Sequence, residues 1–264
     1  MITLKSKREI ELLKEAGHIV YLTHQYLRPF IKAGIKTKEL DQKAEEFIRS
    51  KGATPSFKGY EGFPSTLCIS INDEVVHGFP SERVLQDGDI ISIDIGACYK
   101  GYHGDSAWTY TVGNVSDDAK YLLEHTEKAL YEGIKQAKVG NRIGDIGYAI
   151  EKYAKEHNLG VVKELVGHGV GTSVHESPDV PNYGTKGTGP KIRDGMVIAI
   201  EPMLTLGSPD IYVEDNDWTV VTMDSSLSAH FEHTIAITND GVEILTGEWW
   251  LWLKMMLLKL KVKF

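Results

Sequence analysis

The sequence predicts an α+β fold in two related halves, and three duplicated patterns predict it. Asp87-Gly88 runs into an apolar strand ending at Asp94, and Asp194-Gly195 into another ending at Glu201, with the carboxylate seven residues after the turn Asp both times. Residues 34–49 (GIKTKELDQKAEEFIR) align with residues 140–155 (GNRIGDIGYAIEKYAK), so that Leu40, Ala44 and Phe47 match Ile146, Ile150 and Tyr153. A His-x-x-Pro step follows in each half, at His77 to Pro80 and at His175 to Pro178. Two copies of over a hundred residues each are too few for a stacked repeat array, so they form two halves of one fold.

Ser6-x-x-Glu9 is a capping box opening a first helix to about Leu27, and residues 34–49 form a second, with apolar residues at 3.6-residue spacing. Strands follow, the last apolar one closing on Asp94, and His103-Gly104-Asp105 then leads a polar-apolar alternation from Ser106 to Val112. The second half repeats this order. A helix opens at Ser116 and runs to about Ala137, and residues 140–155 form its partner. The glycine-rich Gly167-His168-Gly169-Val170-Gly171, the strand into Glu201, and His230-Phe231-Glu232 ahead of an alternation from His233 to Thr238 complete it. The pseudo-repeats span about 1–113 and 114–246, making residues 1–246 a single domain.

Taken singly, Asp94 and Glu201 read as strand-end charges and Asp105 and Glu232 as turn residues. As a duplicated set they read differently, because two halves brought face to face converge all four acids on the pseudo-twofold axis, where unpaired they repel. Apolar runs such as Ile90-Ile91-Ser92-Ile93-Asp94-Ile95 also reject an uncompensated charge. A divalent metal between the acids is the economical compensation.

A chain of 264 residues, 42% hydrophobic and 25% charged, is long enough to bury a substantial core. The formal charge of -8, with no basic stripe, argues against nucleic acid as the main partner. The N-terminus enters a charged, capped helix directly and no apolar run is long enough to span a bilayer, so the expected location is the cytoplasm. There, Cys68 and Cys98 are expected as free thiols.

Of the ten histidines, His18, His24, His125 and His157 lie in helical patterns, where a surface or hydrogen-bonded ring is the ordinary state, and they are given no role. His168 differs because its flanking glycines let the backbone approach a ligand closely. His77 and His175 occupy equivalent His-x-x-Pro loops, so if one faces the axis the other should too. Paired histidines beside a metal suit hydrogen bonding to a substrate and its transition state.

The segments NDEVVHGFP, DIISIDIGACYKGYHGDSAWTYTVG, ELVGHGVGTSVHESPDVPNY, GMVIAIEPML and SAHFEHTIAI resemble, in order, those of the methionine aminopeptidases of the bacterial type I form, over about residues 1–246. The resemblance implies the pita-bread fold, two antiparallel-sheet halves with outer helices flanking a dinuclear metal site. Its implied ligands are Asp94, Asp105, His168, Glu201 and Glu232, with Asp105 and Glu232 bridging both ions, Asp94 completing one, and His168 with Glu201 completing the other. Carboxylates with one imidazole suit Mn²⁺, Fe²⁺ or Co²⁺ better than a thiolate-rich zinc centre would, although cobalt, manganese, iron, nickel and zinc all stay open. The implied reaction is attack of a metal-bridged hydroxide on the scissile carbonyl, with Glu201 as proton shuttle, His175 donating to the developing oxyanion and His77 contacting the substrate backbone. The substrate's α-amine would bind the metal held by Asp94, restricting cleavage to N-termini.

The resemblance also carries a methionine pocket over to Tyr60, Phe63, Cys68 and Trp218, with Val174 beside His175; aromatic walls and a soft cysteine suit a thioether. Taken from the residues alone, Phe63 and Cys68 read as ordinary core. Relatives commonly have tyrosine at Phe63 and histidine at Glu61. The closed pocket predicts a small second substrate residue. The expected partners are N-terminal methionyl peptides and nascent chains, with ribosome association and a monomeric state implied by the family. Two other readings stand beside this one. A proline-specific (X-Pro) peptidase would use the same ligands, but such relatives carry a large N-terminal domain, whereas the catalytic half here starts within the first ten residues. A non-catalytic peptide-binding module would be expected to have lost ligands.

After Thr246 the chain continues as GEWWLWLKMMLLKLKVKF, with three of the five tryptophans and four lysines. It lacks clean helical periodicity and a wide polar face. Because composition breaks abruptly where the fold is complete, residues 247–264 read as a frameshifted or read-through extension, which predicts a mature protein ending near Thr246 or Gly247. A membrane-surface or partner-binding tail is the alternative. Intact-mass spectrometry of native protein that finds residues through Phe264 excludes the first reading.

Overall fold

A computed structural model describes residues 1–248, so the reading of the tail lies, beyond Glu248, outside the described residues. The helices start where capping chemistry satisfies their free N–H groups. Ser6 accepts from the Glu9 N–H and Glu9 accepts from the Ser6 N–H at 2.8 Å, opening α1 (Lys7–Leu27). Ser116 accepts from the Ala119 N–H at 3.1 Å and opens α3 (Asp117–Ile134). In α2 (Thr37–Ser50) and α4 (Ile143–Glu156) the side chains of Glu39 and Asp145 accept from the backbone N–H three residues earlier, so the duplication reaches the caps. The helix α3 ends at Ile134 rather than near Ala137. Gln136 and Ala137 donate to the carbonyls three residues back, tightening the chain into the turn that carries Gly140 to the Ile192 carbonyl.

Among the described residues every strand pairing is antiparallel. In the first half, Ile90–Tyr99 carries Tyr102–Thr111 on one edge and both Leu67–Ile71 and Thr54–Pro55 on the other. In the second, five strands run in the order Gly241–Ile244, His233–Thr238, Met196–Ile200, Gly167–Gly169, Glu176–Val180. Two smaller three-stranded sheets complete the β structure; one pairs Val220–Thr222 of the second half with Glu74–Val76 of the first. The Asp-Gly turns match in detail. Gly88 and Gly195 both have positive φ, 97° and 84°, and donate to Val112 and Ile237, at the far end of the alternating strand of their own half.

Helices α1 and α2 cover a core of Leu40, Ala44, Ile48, Ile69, Ile91 and Ile93, and α3 and α4 cover the equivalent core of Leu122, Ile146, Ile150, Ile198 and Ile235. A smaller cluster of Ile10, Leu13, Val170, Val197, Ala236 and Leu245 ties α1 to the second sheet. Cys68 and Cys98 are free thiols. Among the described residues no helix is long and apolar enough to cross a membrane.

Candidate functional site

Strand register brings the acids together. Asp94 sits mid-strand between Cys68 and Ala107, and Asp105 lies across from Gly96. Glu201 follows Ile200 and Glu232 precedes His233, and because Ile200 pairs with His233 these two acids leave adjacent strands side by side. The halves are joined at this point: Thr234 Oγ1 donates to the Asp105 carbonyl at 2.7 Å, Ser106 Oγ to the Glu232 carbonyl at 2.6 Å, and the Glu232 N–H to the Ala107 carbonyl at 2.7 Å. The duplication is not exact, since the first alternating strand begins at Tyr102 and contains Asp105, whereas Glu232 stands just outside its own strand.

Among the described residues three overlapping groups result: Asp94, Asp105 and Glu232; His168, Glu201 and Glu232; Asp105, His168 and His175. In each, one ligand-type atom per residue lies within 4.8 Å of the others. His168 Nε2 is 3.5 Å from Glu201 Oε1 and 3.8 Å from Asp105 Oδ2. Asp94 Oδ1, Asp105 Oδ1 and Glu232 Oε1 are buried with no hydrogen-bond partner among the described residues, a state that protein interiors rarely tolerate. Burial, with the neighbouring carboxylates adding to it, raises Asp105 and Glu232 well above the ordinary carboxyl range, and burial also pushes Asp94 up. Glu201 departs from this trend: burial pushes it up, yet His230 and His168 beside it bring it below the ordinary value. Crowded hard oxygens with one imidazole and orphaned lone pairs are a donor set that fits divalent cations.

The acids line a cavity of about 330 Å³. All of Tyr60, Phe63, Cys68, His77, Asp94, Asp105, His168, His175, Glu201, Trp218 and Glu232 line it, and Val174 packs with Phe57, Phe63 and Cys68 just behind. Much of the remaining wall is apolar. Phe63 lies 5.3 Å from Phe79 and 5.2 Å from Trp218, ring centre to ring centre, and burial raises the Cys68 thiol well above its usual range. Both loop histidines face in, but their backbones differ: His77 follows a strand with φ 59°, while His175 directly precedes the Glu176–Val180 strand. His175 Nδ1 is 3.1 Å from the Tyr60 hydroxyl, and burial, reinforced by His168, lowers it to about 4; burial likewise lowers His77.

One cavity residue given no role from the sequence is His230. It is buried, and its Nε2, 3.5 Å from Glu201 Oε2 and 4.0 Å from Glu232 Oε2, has no hydrogen-bond partner among the described residues. The signal was the duplicated His-x-acid motif. That motif misleads about its first copy, because His103 turns away to Ser56 Oγ at 2.9 Å. Three of the four helical histidines hydrogen-bond to tyrosines: His24 and His125 are buried and bonded to Tyr110 and Tyr153, and His157 bonds the Tyr121 hydroxyl, while His18 stacks on Tyr21 with ring centres 6.2 Å apart.

Residues 11–239 match metallopeptidase family M24. The chain is 57% identical over 246 residues to methionine aminopeptidase 1 of Bacillus subtilis, covering 93% of this chain and 99% of that protein. The crystal structure of methionine aminopeptidase from Rickettsia prowazekii superposes with a TM-score of 0.92 at 39% identity, covering 94% of this chain and all of that one. An Xaa-Pro dipeptidase from Bacillus anthracis is more distant, with a TM-score of 0.74, 26% identity and 62% of its chain covered. The fold is therefore the pita-bread fold, and a likeness this close and this complete on the methionine aminopeptidase side means that the chain belongs to metallopeptidase family M24 and, within it, to the methionine aminopeptidases.

Proposed function

We propose that residues 1–246 form a catalytic domain that removes methionine from the N-termini of peptides and nascent chains, with a small second residue preferred. The observation that carries this reading is the junction, within one cavity, of orphaned buried carboxylates and an aromatic-walled pocket. Asp94, Asp105, His168, Glu201 and Glu232 would hold two divalent ions, drawn from cobalt, manganese, iron, nickel and zinc. When bound, such ions supply a water of lowered pKa and polarise a carbonyl.

The protein's own groups do the rest. The methionine side chain lies against Phe63, Cys68 and Trp218, and the closeness of the pocket to the acids sets the scissile bond over them. The free amino terminus sits at the Asp94 end, which limits the reaction to the first residue. Glu201, ionised at neutral pH because of its histidine neighbours, accepts a proton from water and passes it to the departing amine. His175 is neutral at that pH; with Tyr60 donating to Nδ1, its Nε2–H is free to donate to the carbonyl oxygen as charge builds there. His77 contacts the substrate backbone, and His230, whose Nε2 is 3.5 Å from Glu201, helps to hold that carboxylate below its ordinary pKa.

The test is release of methionine from a Met-Gly-X peptide against cleavage of an X-Pro peptide, by metal-stripped protein and by protein resupplied with Mn²⁺, Fe²⁺ or Co²⁺. Metal-restored cleavage of the methionyl peptide that is lost in Asp105→Asn supports the reading. Cleavage of the prolyl peptide alone moves the substrate to X-Pro bonds, and metal binding without cleavage of either leaves a peptide-binding module.

A further inference from the structure

The turn that presents His175 is pinned from outside the cavity. Glu176, next in the chain, turns its carboxylate away from the acids and into a small polar knot. Its Oε2 accepts from Lys5 Nζ at 2.5 Å and from Thr3 Oγ1 at 2.7 Å, and its Oε1 accepts from the Ser173 N–H at 3.3 Å and from Thr172 Oγ1 at 3.4 Å. The pair is well covered, with the Lys5 side chain 6% and that of Glu176 15% exposed. Gly171 makes room for it: a Cβ there would stand 2.1 Å from Glu176 Oε1 and 2.6 Å from Lys5 Nζ. Lys5 is itself anchored, because its N–H donates at 2.7 Å to the carbonyl of Gly195, in the turn that leads to Glu201.

His175 has little else to hold it. Its ring reaches the Tyr60 hydroxyl through Nδ1, meets the His168 ring edge-on at 4.2 Å and otherwise projects into the cavity. Its direction is therefore set by the backbone of residues 171–176. That backbone is held by the Gly171 to Ser173 hydrogen bond, by the His103 N–H on the Gly171 carbonyl, and by the Glu176 knot. We propose that Lys5, through its buried ion pair with Glu176, is a positioning residue for His175, so that the N-terminal segment holds the oxyanion donor in register with the acids. The proposal rests on the reading of His175 as that donor. A loosened turn leaves the carboxylates in place and costs the chemical step, since a displaced donor loses most of its value.

The experiment is a double-mutant cycle on the full-length, Mn²⁺-loaded protein with a Met-Gly-Gly peptide, reading kcat, KM and Mn²⁺ affinity for wild type, Lys5→Met, Lys5→Arg, His175→Ala and Lys5→Met/His175→Ala. The expected result is a kcat at least about tenfold lower in Lys5→Met with KM and Mn²⁺ affinity within about twofold, substantial recovery in Lys5→Arg, and little further loss when Lys5→Met is added to His175→Ala. An equal loss from Lys5→Met in both backgrounds overturns the proposal, as does an unchanged kcat. If His175→Ala alone leaves kcat intact, the role of His175 itself fails and this inference with it, whereas a slow His175→Ala beside a normal Lys5→Met fails the inference alone. Should Lys5→Met not fold, Glu176→Asp, which keeps the charge and shortens its reach, is read through the same cycle with the same criteria.

Discussion

His24 shows how a single side chain couples folding to pH. It is buried in α1 with its ring stacked on Trp108 at 4.6 Å and 7°. Nε2 lies 3.1 Å from the Ser106 carbonyl, which can only accept, so the proton is on Nε2 and the Tyr110 hydroxyl donates to Nδ1 at 2.9 Å. Burial lowers this histidine to about 3. An unfolded histidine titrates near 6.5, so between about 6.5 and 3 the unfolded chain binds the extra proton and stability falls as pH is lowered. One such group contributes a slope of at most about 1.4 kcal/mol per pH unit. In His24→Gln, stability measured by urea denaturation from pH 7 to 4 is expected to depend less steeply on pH than in wild type. Equal slopes would mean that His24 is not proton-linked to folding. At the cavity, His175→Ala is expected to lower kcat about 10²- to 10³-fold, the usual cost of one oxyanion donor, as steady-state kinetics on a methionyl peptide would show.

At the scale of elements, α1 is the member whose start and packing can be weighed against each other. Its cap rests on Ser6, and Ser6→Ala is expected to cost about 1 kcal/mol, a fall in Tm of about 2–4 °C for a protein of this size. Gly17 is the more severe position. Replacing a helical glycine with alanine ordinarily gains about 1 kcal/mol in propensity. Here the new Cβ would meet the Leu245 carbonyl oxygen at 2.5 Å, and a Cβ at Gly104 would meet the Gly17 N at 2.5 Å. Both obstacles are backbone atoms that no rotamer change can clear, so overpacking of about 1–3 kcal/mol outweighs propensity. Gly17→Ala is therefore expected to destabilise in urea; stabilisation would show that α1 can slide from the sheet. The helices were legible in the sequence because their caps and apolar spacing are local. The end of α3 was not, because it is set by the reach of Gly140 to Ile192 rather than by residues 134–137 themselves.

Across the whole molecule, the acidic positions were legible because strand periodicity and duplication together constrain register: a seven-residue interval from each Asp-Gly turn sets Asp94 and Glu201 at matching points. Symmetry breaks where the two halves make different contacts. His103 finds Ser56 while His230 finds the acids, and Glu176 finds Lys5 across 171 residues, contacts that no local pattern encodes. The same convergence makes the two halves depend on the ion they are proposed to share. Asp94 and Asp105 come from the first half, and His168, Glu201 and Glu232 from the second, so a cation bound among them ties the halves to each other, while without one the buried acids repel or hold protons. A ligand that binds only the folded protein adds RT ln(1 + [L]/Kd), about 2.7 kcal/mol at a hundredfold excess over Kd. Chelator-stripped protein is thus expected to unfold at lower temperature than metal-loaded protein, with a midpoint that climbs as Mn²⁺ is titrated in, and Asp105→Asn is expected to lose most of that climb. A midpoint indifferent to metal in wild type, followed by differential scanning calorimetry, would mean that the acids carry their charge without a shared ion.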